Sequence, residues 1–371
     1  EAEARVTQAA AGALPQVGVS ANVKRQQTGG SDSLAARGEW THAEALDASL
    51  LIYDFGKTSA LKRQAAEEFL AARADLRAAE NDVAFAVRSA FFGVLKQESL
   101  VKVAEETVRQ FEKRLEQTRG FVEVGTRVKY DLTKAEVDLG NARLALLQAQ
   151  TALRDVRALL ITALGLAEDI PFTLEPGAAG EDPVATAKFD DLVEQARANH
   201  PRLEAQVLRE EAGREAIEVA IADFFPALSL QGSFSLAGTF SRSAWTALLG
   251  PALDAVVYSG GAKTGRLAEV VADLKEARAE RAQIEQGLFL EIRQAATQLD
   301  DARERLRILD LTVQQATENL DLVQGRYAIG RASSVELTDA QVALASARGS
   351  QVEARFDVDI AIAALRRAVG R

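Results

Sequence analysis

The sequence predicts a mainly α protein with a small β part, in which long coiled-coil helices accompany four strands and the whole is built as an internal two-fold repeat. Three observations predict it. Apolar residues hold a three-four spacing over many heptads, two segments that follow prolines alternate with period two, and the chain resembles itself at a shift of about 205 residues (330 minus 125).

The repeat is carried by short matches in constant order. Phe121-Val122-Glu123-Val124-Gly125-Thr126 matches Arg326-Tyr327-Ala328-Ile329-Gly330-Arg331, Asp131-Leu132 matches Glu336-Leu337, and Tyr53 matches Tyr258. Further along, Ala135 pairs with Ala340 and Leu164-Gly165 with Val369-Gly370. Pro15 and Pro226 pair at a larger shift, so the first copy carries extra residues before Tyr53, as an insertion in a loop would. The expected organisation is a first copy over 1–166, a linker over 167–188 with Pro171, Pro176, Pro183, Gly177 and Gly180, and a second copy over 189–371. The first copy is expected to be truncated at its N-terminus.

No proline lies between Gln16 and Ile170 or between Ala252 and Arg371. Within those stretches the seam runs Val83, Val87, Ala90, Val94, Gln97, Val101, Ala104, Val108, Phe111, Leu115, Thr118, Val122, and in the second copy from Leu288 through Ile292 and Leu299 to Val323 and Tyr327. This predicts helices over 57–122 and 262–327, each about 100 Å long if straight. The returning helices, 128–165 and 333–369, keep alanine at one repeated seam position: Ala135, Ala142, Ala149 and Ala163 in the first copy, and Ala340, Ala347, Ala354, Ala361 and Ala368 in the second. Small side chains let helix backbones approach closely, which suits a wall of neighbouring helices. Asp190 to Ala222 reads as helical with a break at His200-Pro201.

Strands are expected near 16–24, 44–54, 227–236 and 246–258. Val17, Val19, Ala21 and Val23 alternate with Gln16, Gly18, Ser20, Asn22 and Lys24; Leu228, Leu230, Gly232, Phe234 and Leu236 alternate with Ser229, Gln231, Ser233 and Ser235. Loops are expected over Gln26 to Gly38 and Ala237 to Ser243. Trp40 and Trp245 stand near the starts of the returning strands, where a bilayer interface or a hairpin core would place them. Four strands are too few for a closed barrel, and an open edge cannot face lipid, so strands that cross a membrane must be pooled; three chains would supply twelve.

Composition narrows the function classes. The net charge of -10 argues against nucleic acid as a partner. With no cysteine, disulfides, thiolate metal sites and cysteine nucleophiles are excluded. Met is absent too, so the chain does not begin at an initiator residue, and a signal peptide or lipidated cysteine upstream is compatible with it. No apolar run reaches about 18 residues, so a membrane role would have to use strands. Gly56-Lys57-Thr58 and Gly261-Ala262-Lys263-Thr264 lack the earlier glycine of a phosphate-binding loop, since Leu51 and Val257 stand there. His42 and His200 do not form a metal site by spacing. No metal, cofactor or catalysis is expected.

Strand, loop, strand, long helix, tip and second helix, all occurring twice, resemble the TolC-like outer-membrane factor family. The residues that carry the resemblance are Tyr53-Asp54-Phe55-Gly56, Tyr258-Ser259-Gly260-Gly261, Val124-Gly125-Thr126 and Ile329-Gly330-Arg331. The resemblance implies a homotrimer with a twelve-stranded barrel in the outer-membrane lipid of a Gram-negative cell and a helical barrel in the periplasm. It implies a passive exit duct that docks, through a periplasmic adaptor, with an inner-membrane pump in efflux or type I secretion. The chain departs from the family in lacking most of the first helix, so a small belt around the helices is expected. A soluble coiled-coil scaffold with small β-hairpins is the rival.

The resemblance also implies residue roles. Glu336 and Asp339, one turn apart on a helix face, would ring the narrowest point of the closed duct; alternatively they are a solvated helix start favoured by the helix dipole. Asp131 and Tyr327 match positions that latch the tip, although Tyr327 is equally placed to end the seam. Val124, Gly125 and Thr126, with Ile329, Gly330 and Arg331, would be the adaptor-docking tips, and the two glycines would allow a tight reversal.

Overall fold

The computed structural model describes residues 1–27, 38–166, 174–175, 183–239 and 241–371. The expected loop between Gln26 and Gly38 and most of the 167–188 linker, including Pro171, Pro176, Gly177 and Gly180, lie outside the described residues. In chain order the elements are α1 (Ala2–Ala11), β1 (Gln16–Gln27), β2 (Gly38–Tyr53), α2 (Lys57–Glu123), α3 (Lys129–Ala163), α4 (Pro183–Thr186), α5 (Phe189–Asn199), α6 (Pro201–Ala222), β3 (Ala227–Thr239), β4 (Arg242–Asp254), α7 (Ala262–Ala328) and α8 (Ser334–Val369). The expected fold class holds: the protein is mainly α with four antiparallel strands. It divides into two compact units, Glu1–Leu76 with Pro201–Ile284, and Arg77–His200 with Glu285–Arg371. Each unit takes equivalent pieces of both sequence copies.

The first unit holds one sheet in the order β1-β2-β3-β4, every pair antiparallel. β2 begins at Gly38 and β4 at Arg242, earlier than alternation alone suggests, because the backbone ladder continues past the last alternating residues. The segment expected as a loop from Ala237 to Ser243 is therefore strand on both sides of a turn, with Gly238 opposite Ser243. A Cβ at Gly238 would lie 2.1 Å from the Arg242 carbonyl oxygen, so this hairpin end has room only for glycine. β4 stops at Asp254 rather than near Tyr258, since Gly260 (φ 61°) and Gly261 (φ 89°) turn the chain into α7.

The same turn opens α2 in the first copy, but there Phe55 (φ 54°) occupies the left-handed position that Gly260 fills in the second. That conformation costs a bulky side chain about 1–2 kcal/mol. Phe55 is held by neighbours: its ring lies 4.8 Å from Tyr53 and stacks on Phe225 at 4.9 Å. Asp54 then caps the helix, accepting from the Thr58 N–H at 2.7 Å and the Gly56 N–H at 3.2 Å.

Below the sheet, this unit packs helices through small residues. Ala60, Ala71 and Ala74 of α2 and Ala205, Ala212 and Ala220 of α6 are buried, and Gly213 lets Leu274 of α7 come within contact distance of α6. The Glu210 carboxylate, 6% exposed, lies among these helices and accepts from Arg278 at 3.2 Å, Arg214 at 2.8 Å and Arg281 at 3.5 Å. Burial pushes its carboxyl up, but the three guanidinium groups outweigh burial and hold it below the ordinary value of 4.5. A depressed folded value contributes stability that is present above pH 4.5 and is lost as the pH falls through the folded value. Glu210→Gln is therefore expected to unfold more easily at neutral pH and to lose less stability than the parent on acidification below pH 4.5; thermal melts across pH in detergent would show it.

The second unit has three apolar clusters. Val108 and Phe111 of α2 meet Leu139 and Ala142 of α3; Leu320 and Val323 of α7 meet Leu337, Ala340 and Leu344 of α8; and Ile292, Ala295 and Leu299 of α7 meet Ala361, Leu365 and Ala368 of α8 beneath Val184 of α4 and Leu192 and Ala196 of α5. All five seam alanines of α8, from Ala340 to Ala368, are buried. In α3 only Ala135 and Ala142 are, while Ala149 and Ala163 stay half-exposed. At the far end of α8, α4 and α5 provide the cover over Ala361 and Ala368.

Candidate functional site

Two places carry the functional reading: the helix tips of the second unit and the sheet of the first. At the tips the two copies reverse direction identically. Gly125 (φ 75°) donates its N–H to Val122 and Thr126 donates to Phe121; Gly330 (φ 72°) donates to Tyr327 and Arg331 to Arg326. This paired bonding around a left-handed glycine satisfies the last helical carbonyls and stops each helix. It leaves Val124 72% and Ile329 68% exposed at the turning points, next to exposed Thr126 and Arg331.

α8 opens with a capping box. Ser333 Oγ accepts from the Glu336 N–H at 3.1 Å, and the Ser333 N–H donates to Glu336 Oε1 at 3.2 Å. Glu336 Oε2 also faces Arg326 at 3.4 Å. Glu336 thus performs the work of a helix start while its carboxylate stays at the surface, and Asp339, one turn on, is exposed as well. The Ser-x-x-Glu spacing of Ser333 and Glu336 is the sequence signal for this cap. α3 has Val128 at the equivalent position and no side-chain cap.

The expected latch partners are not joined within one chain. Asp131 Oδ1 accepts from Ser334 Oγ at 2.7 Å, which ties α3 to α8. Tyr327 sits half-buried with the Arg127 guanidinium 4.5 Å from its ring centre, and its hydroxyl has no hydrogen-bond partner among the described residues.

Next to Asp131 lies a buried polar network that sequence reasoning missed. The Arg114 guanidinium, on a residue 4% exposed, donates from Nη2 to the Ser334 carbonyl oxygen at 2.6 Å and from Nη1 to Gln341 Oε1 at 3.0 Å and to Thr338 Oγ1. Thr338 Oγ1 also lies 3.1 Å from Asp138 Oδ2, and Lys134 donates to Asp138 Oδ1 at 2.6 Å. Burial pulls the Arg114 guanidinium below its ordinary value, against the opposing pull of Asp138, Tyr327 and Asp131. The available sequence signal was weak: Arg114 stands next to the seam residue Leu115, about one turn from Phe111 and Thr118, and Lys134 and Asp138 are one helical turn apart.

In the sheet, register separates two faces. Val19, Leu46, Phe234 and Ala247 form one cross-strand row, and Val17, Ala48, Gly232 and Leu249 the next on the same face. The opposite face carries Gly18, Asp47, Ser233 and Leu248 in one row and Gln16, Ser49, Gln231 and Gly250 in another. The apolar face is open to solvent in one chain: Val19 is 80% and Leu249 79% exposed. A single chain therefore presents a greasy sheet surface that soluble proteins do not leave bare. Aromatics bound it, with Trp40 and Trp245 toward the hairpin turns and Tyr53, Phe55 and Phe225 toward the helices. From Trp245 to Leu253 is eight residues, about 27 Å of strand. At the usual barrel tilt that spans about 20 Å, close to the apolar band of an outer-membrane barrel.

The sequence pattern of the outer membrane efflux protein family matches residues 1–166 and 192–371, nearly the whole chain. The chain belongs to the outer membrane efflux protein family. Among its relatives, outer membrane efflux protein BepC of Brucella suis is 23% identical over 361 residues, covering 96% of this chain and 77% of BepC. The probable efflux pump outer membrane protein TtgC of Pseudomonas putida is 26% identical over 311 residues, covering 81% of this chain and 63% of TtgC. In fold the chain is similar to a crystal structure of CusC, studied for folding and transmembrane channel formation, with a TM-score of 0.83, 18% identity and coverage of 99% of this chain and 86% of that one. This efflux protein is accordingly an outer-membrane channel protein of a Gram-negative cell, with a TolC-like fold whose helices reach into the periplasm. The soluble scaffold reading is set aside.

Proposed function

We propose that three copies of this efflux protein pool their sheets into one closed twelve-stranded barrel, and that the assembly is a passive exit duct for solutes delivered by a periplasmic adaptor and an inner-membrane pump. The observation that carries the reading is the sheet itself: four strands with one largely apolar face, whose outer strands β1 and β4 each have one side unpaired among the described residues. A lipid-facing sheet must satisfy every backbone donor and acceptor, so it closes with copies of itself. The helices support the same reading. Val137 and Leu144 of α3 are each 54% exposed, and Leu322 of α7 is 63% exposed, apolar surface that a neighbouring copy would cover. The duct works by letting solute pass; catalysis is no part of it. The purified chain should require detergent, run as a trimer and conduct in planar bilayers; a monomer stable in plain buffer without affinity for lipid would sink the reading.

The tips would dock the adaptor through Val124, Gly125, Thr126, Ile329, Gly330 and Arg331, whose exposed apolar corners suit contact with another protein. Six carboxylates, Glu336 and Asp339 from three copies, would form a cation-attracting constriction, with Asp131 and Tyr327 beside it as latch residues. Because Glu336 also closes the capping box, alanine there would remove a cap worth about 1 kcal/mol along with the charge. Glutamine keeps the box and removes only the charge. The pair Glu336→Gln and Asp339→Asn should weaken block by divalent cations without lowering the melting temperature; block that persists at parental strength would remove the constriction role.

A further inference from the structure

The polar face of the sheet carries an ordered set of charges that the duct reading does not itself require. Along one cross-strand row run Lys24, Thr41, Thr239 and Arg242, next to the hairpin turns. Six residues further along β1 and β4 lies the row of Gly18, Asp47, Ser233 and Leu248, and six beyond that, on β4, Asp254. Six residues are about 20 Å of strand. Among the described side chains, Lys24, Asp47, Arg242 and Asp254 are the charged ones on this face, all four exposed. The other positions are Ser, Thr, Gln, Asn, Gly, Ala and Leu.

Asp47 is the member of this set at mid-height of the strands. Its cross-strand neighbours are Gly18 and Ser233, neither of which can neutralise it, and no ion pair or hydrogen bond joins its carboxylate to any described residue. It is the charged residue of its cross-strand row, beside Gly18, Ser233 and Leu248 on the polar face of the sheet. Mid-height charge with no partner acts on whatever passes in front of it.

We propose that Asp47 is a specificity-determining residue of the strand pore: with its copies it forms a carboxylate layer that favours cationic solutes inside the barrel. The inference rests on the duct reading, since the layer exists only if three sheets close around the polar face. The rows at either end give the layer direction. Closing β4 of one copy on β1 of the next brings Arg242 beside Lys24 of the neighbour at the turn end, a cationic collar, while Asp254 repeats the acidic sign at the helix end. Cationic solutes arriving from the helix end meet two acidic layers in succession, and cations approaching from the turn end meet the collar first.

Residues 1–371 contain no cysteine, which makes the test direct. Asp47→Cys is introduced in a chain already carrying Glu336→Gln and Asp339→Asn, so that tip charge does not mask the barrel. Single channels are recorded in a potassium chloride gradient before and after adding a water-borne, cationic methanethiosulfonate reagent. Folding is common to both readings because the same open channel is compared. At about 10 mM salt, where screening extends about 30 Å, the permeability ratio of potassium to chloride should fall at least about twofold on modification. The effect should fade at 1 M salt, where screening shortens to about 3 Å. Without the cysteine, Asp47→Asn should lower the same ratio in the same direction. A thiol that aqueous reagent never reaches, or a modified channel with an unchanged ratio at low salt, overturns the proposal while leaving the duct intact. A folded parent chain that forms no conducting channel overturns the duct reading and this proposal with it.

Discussion

Methionine in place of Arg114 is expected to lower the stability of the helical unit by about 3–5 kcal/mol, the range found when one partner of a buried charged network is removed. The guanidinium is the hub of that network: it reaches a backbone carbonyl at Ser334 and side chains at Thr338 and Gln341. Without it, the Ser334 carbonyl and Gln341 oxygens are left buried with fewer donors, and Asp138, 7% exposed, keeps Lys134 but loses the second cation of the network, which reaches it through Thr338. Methionine fills most of the volume, so the loss reports on the polar contacts and not on a cavity. Lys134→Met is the control. Lys134 bonds the same Asp138 but is 31% exposed at its side chain, and its removal should cost under about 1 kcal/mol. Denaturant unfolding of the detergent-solubilised trimer, followed by helical circular dichroism, distinguishes the two. Equal and small losses would mean that the network is replaced by water at little cost. The expected functional consequence is loosening of the first turns of α8, the segment that carries Glu336 and Asp339, because all three Arg114 acceptors lie between Ser334 and Gln341.

Arginine at Leu249 should destabilise the membrane-inserted barrel by about 2–4 kcal/mol per copy, whereas arginine at the adjacent Leu248 should cost close to nothing. The two leucines are consecutive and nearly equally exposed in one chain, at 79% and 66%, so neither composition nor exposure tells them apart. Register does: Leu249 pairs with Gly232 on the apolar face, and Leu248 pairs with Ser233 on the polar face. Position 249 is also midway between Trp245 and Leu253, where a charge is farthest from both interfaces. Urea titration of refolding into lipid vesicles, read by heat-modifiable gel mobility, measures the difference. Equal penalties at 248 and 249 would contradict the assignment of faces, and a penalty at 248 alone would invert it. Leu248→Arg has a second expected signature, since a cation two strands from Asp47 on the same row should reduce cation preference in the open channel.

Much of the architecture was legible before any coordinates. The heptads placed four long helices, Gly125 and Gly330 marked their tips, and the alternation in β1 and β3 assigned a polar and an apolar face. These are local signals: they repeat every two or seven residues along one segment, and the physics behind them, side-chain direction on a strand or helix, acts within that segment. The returning strands were harder. β4 contains Leu248-Leu249 and Pro251, so period two is blurred, and only pairing with β3 settles which side each residue faces. The tip carboxylates were found by position, but their local role was not, because the Ser333–Glu336 box was overlooked beside the resemblance.

By itself, then, the sequence determined the fold class, the duplication and the amphipathic character of the sheet. Tertiary structure alone decided that Arg114 is buried, that Asp131 bonds to Ser334 within the chain rather than to Tyr327, that Phe55 is held in a left-handed turn by stacked rings, and that all five α8 seam alanines are covered while Ala149 and Ala163 of α3 stay half-exposed. The reason is distance along the chain. Arg114 meets Thr338 across 224 residues and Asp131 meets Ser334 across 203, and no periodicity within either helix records which polar group the other will present. A polar side chain at a seam position is read from its own segment as an interruption, and only the facing helix shows whether that interruption is exposed to water or satisfied in the interior.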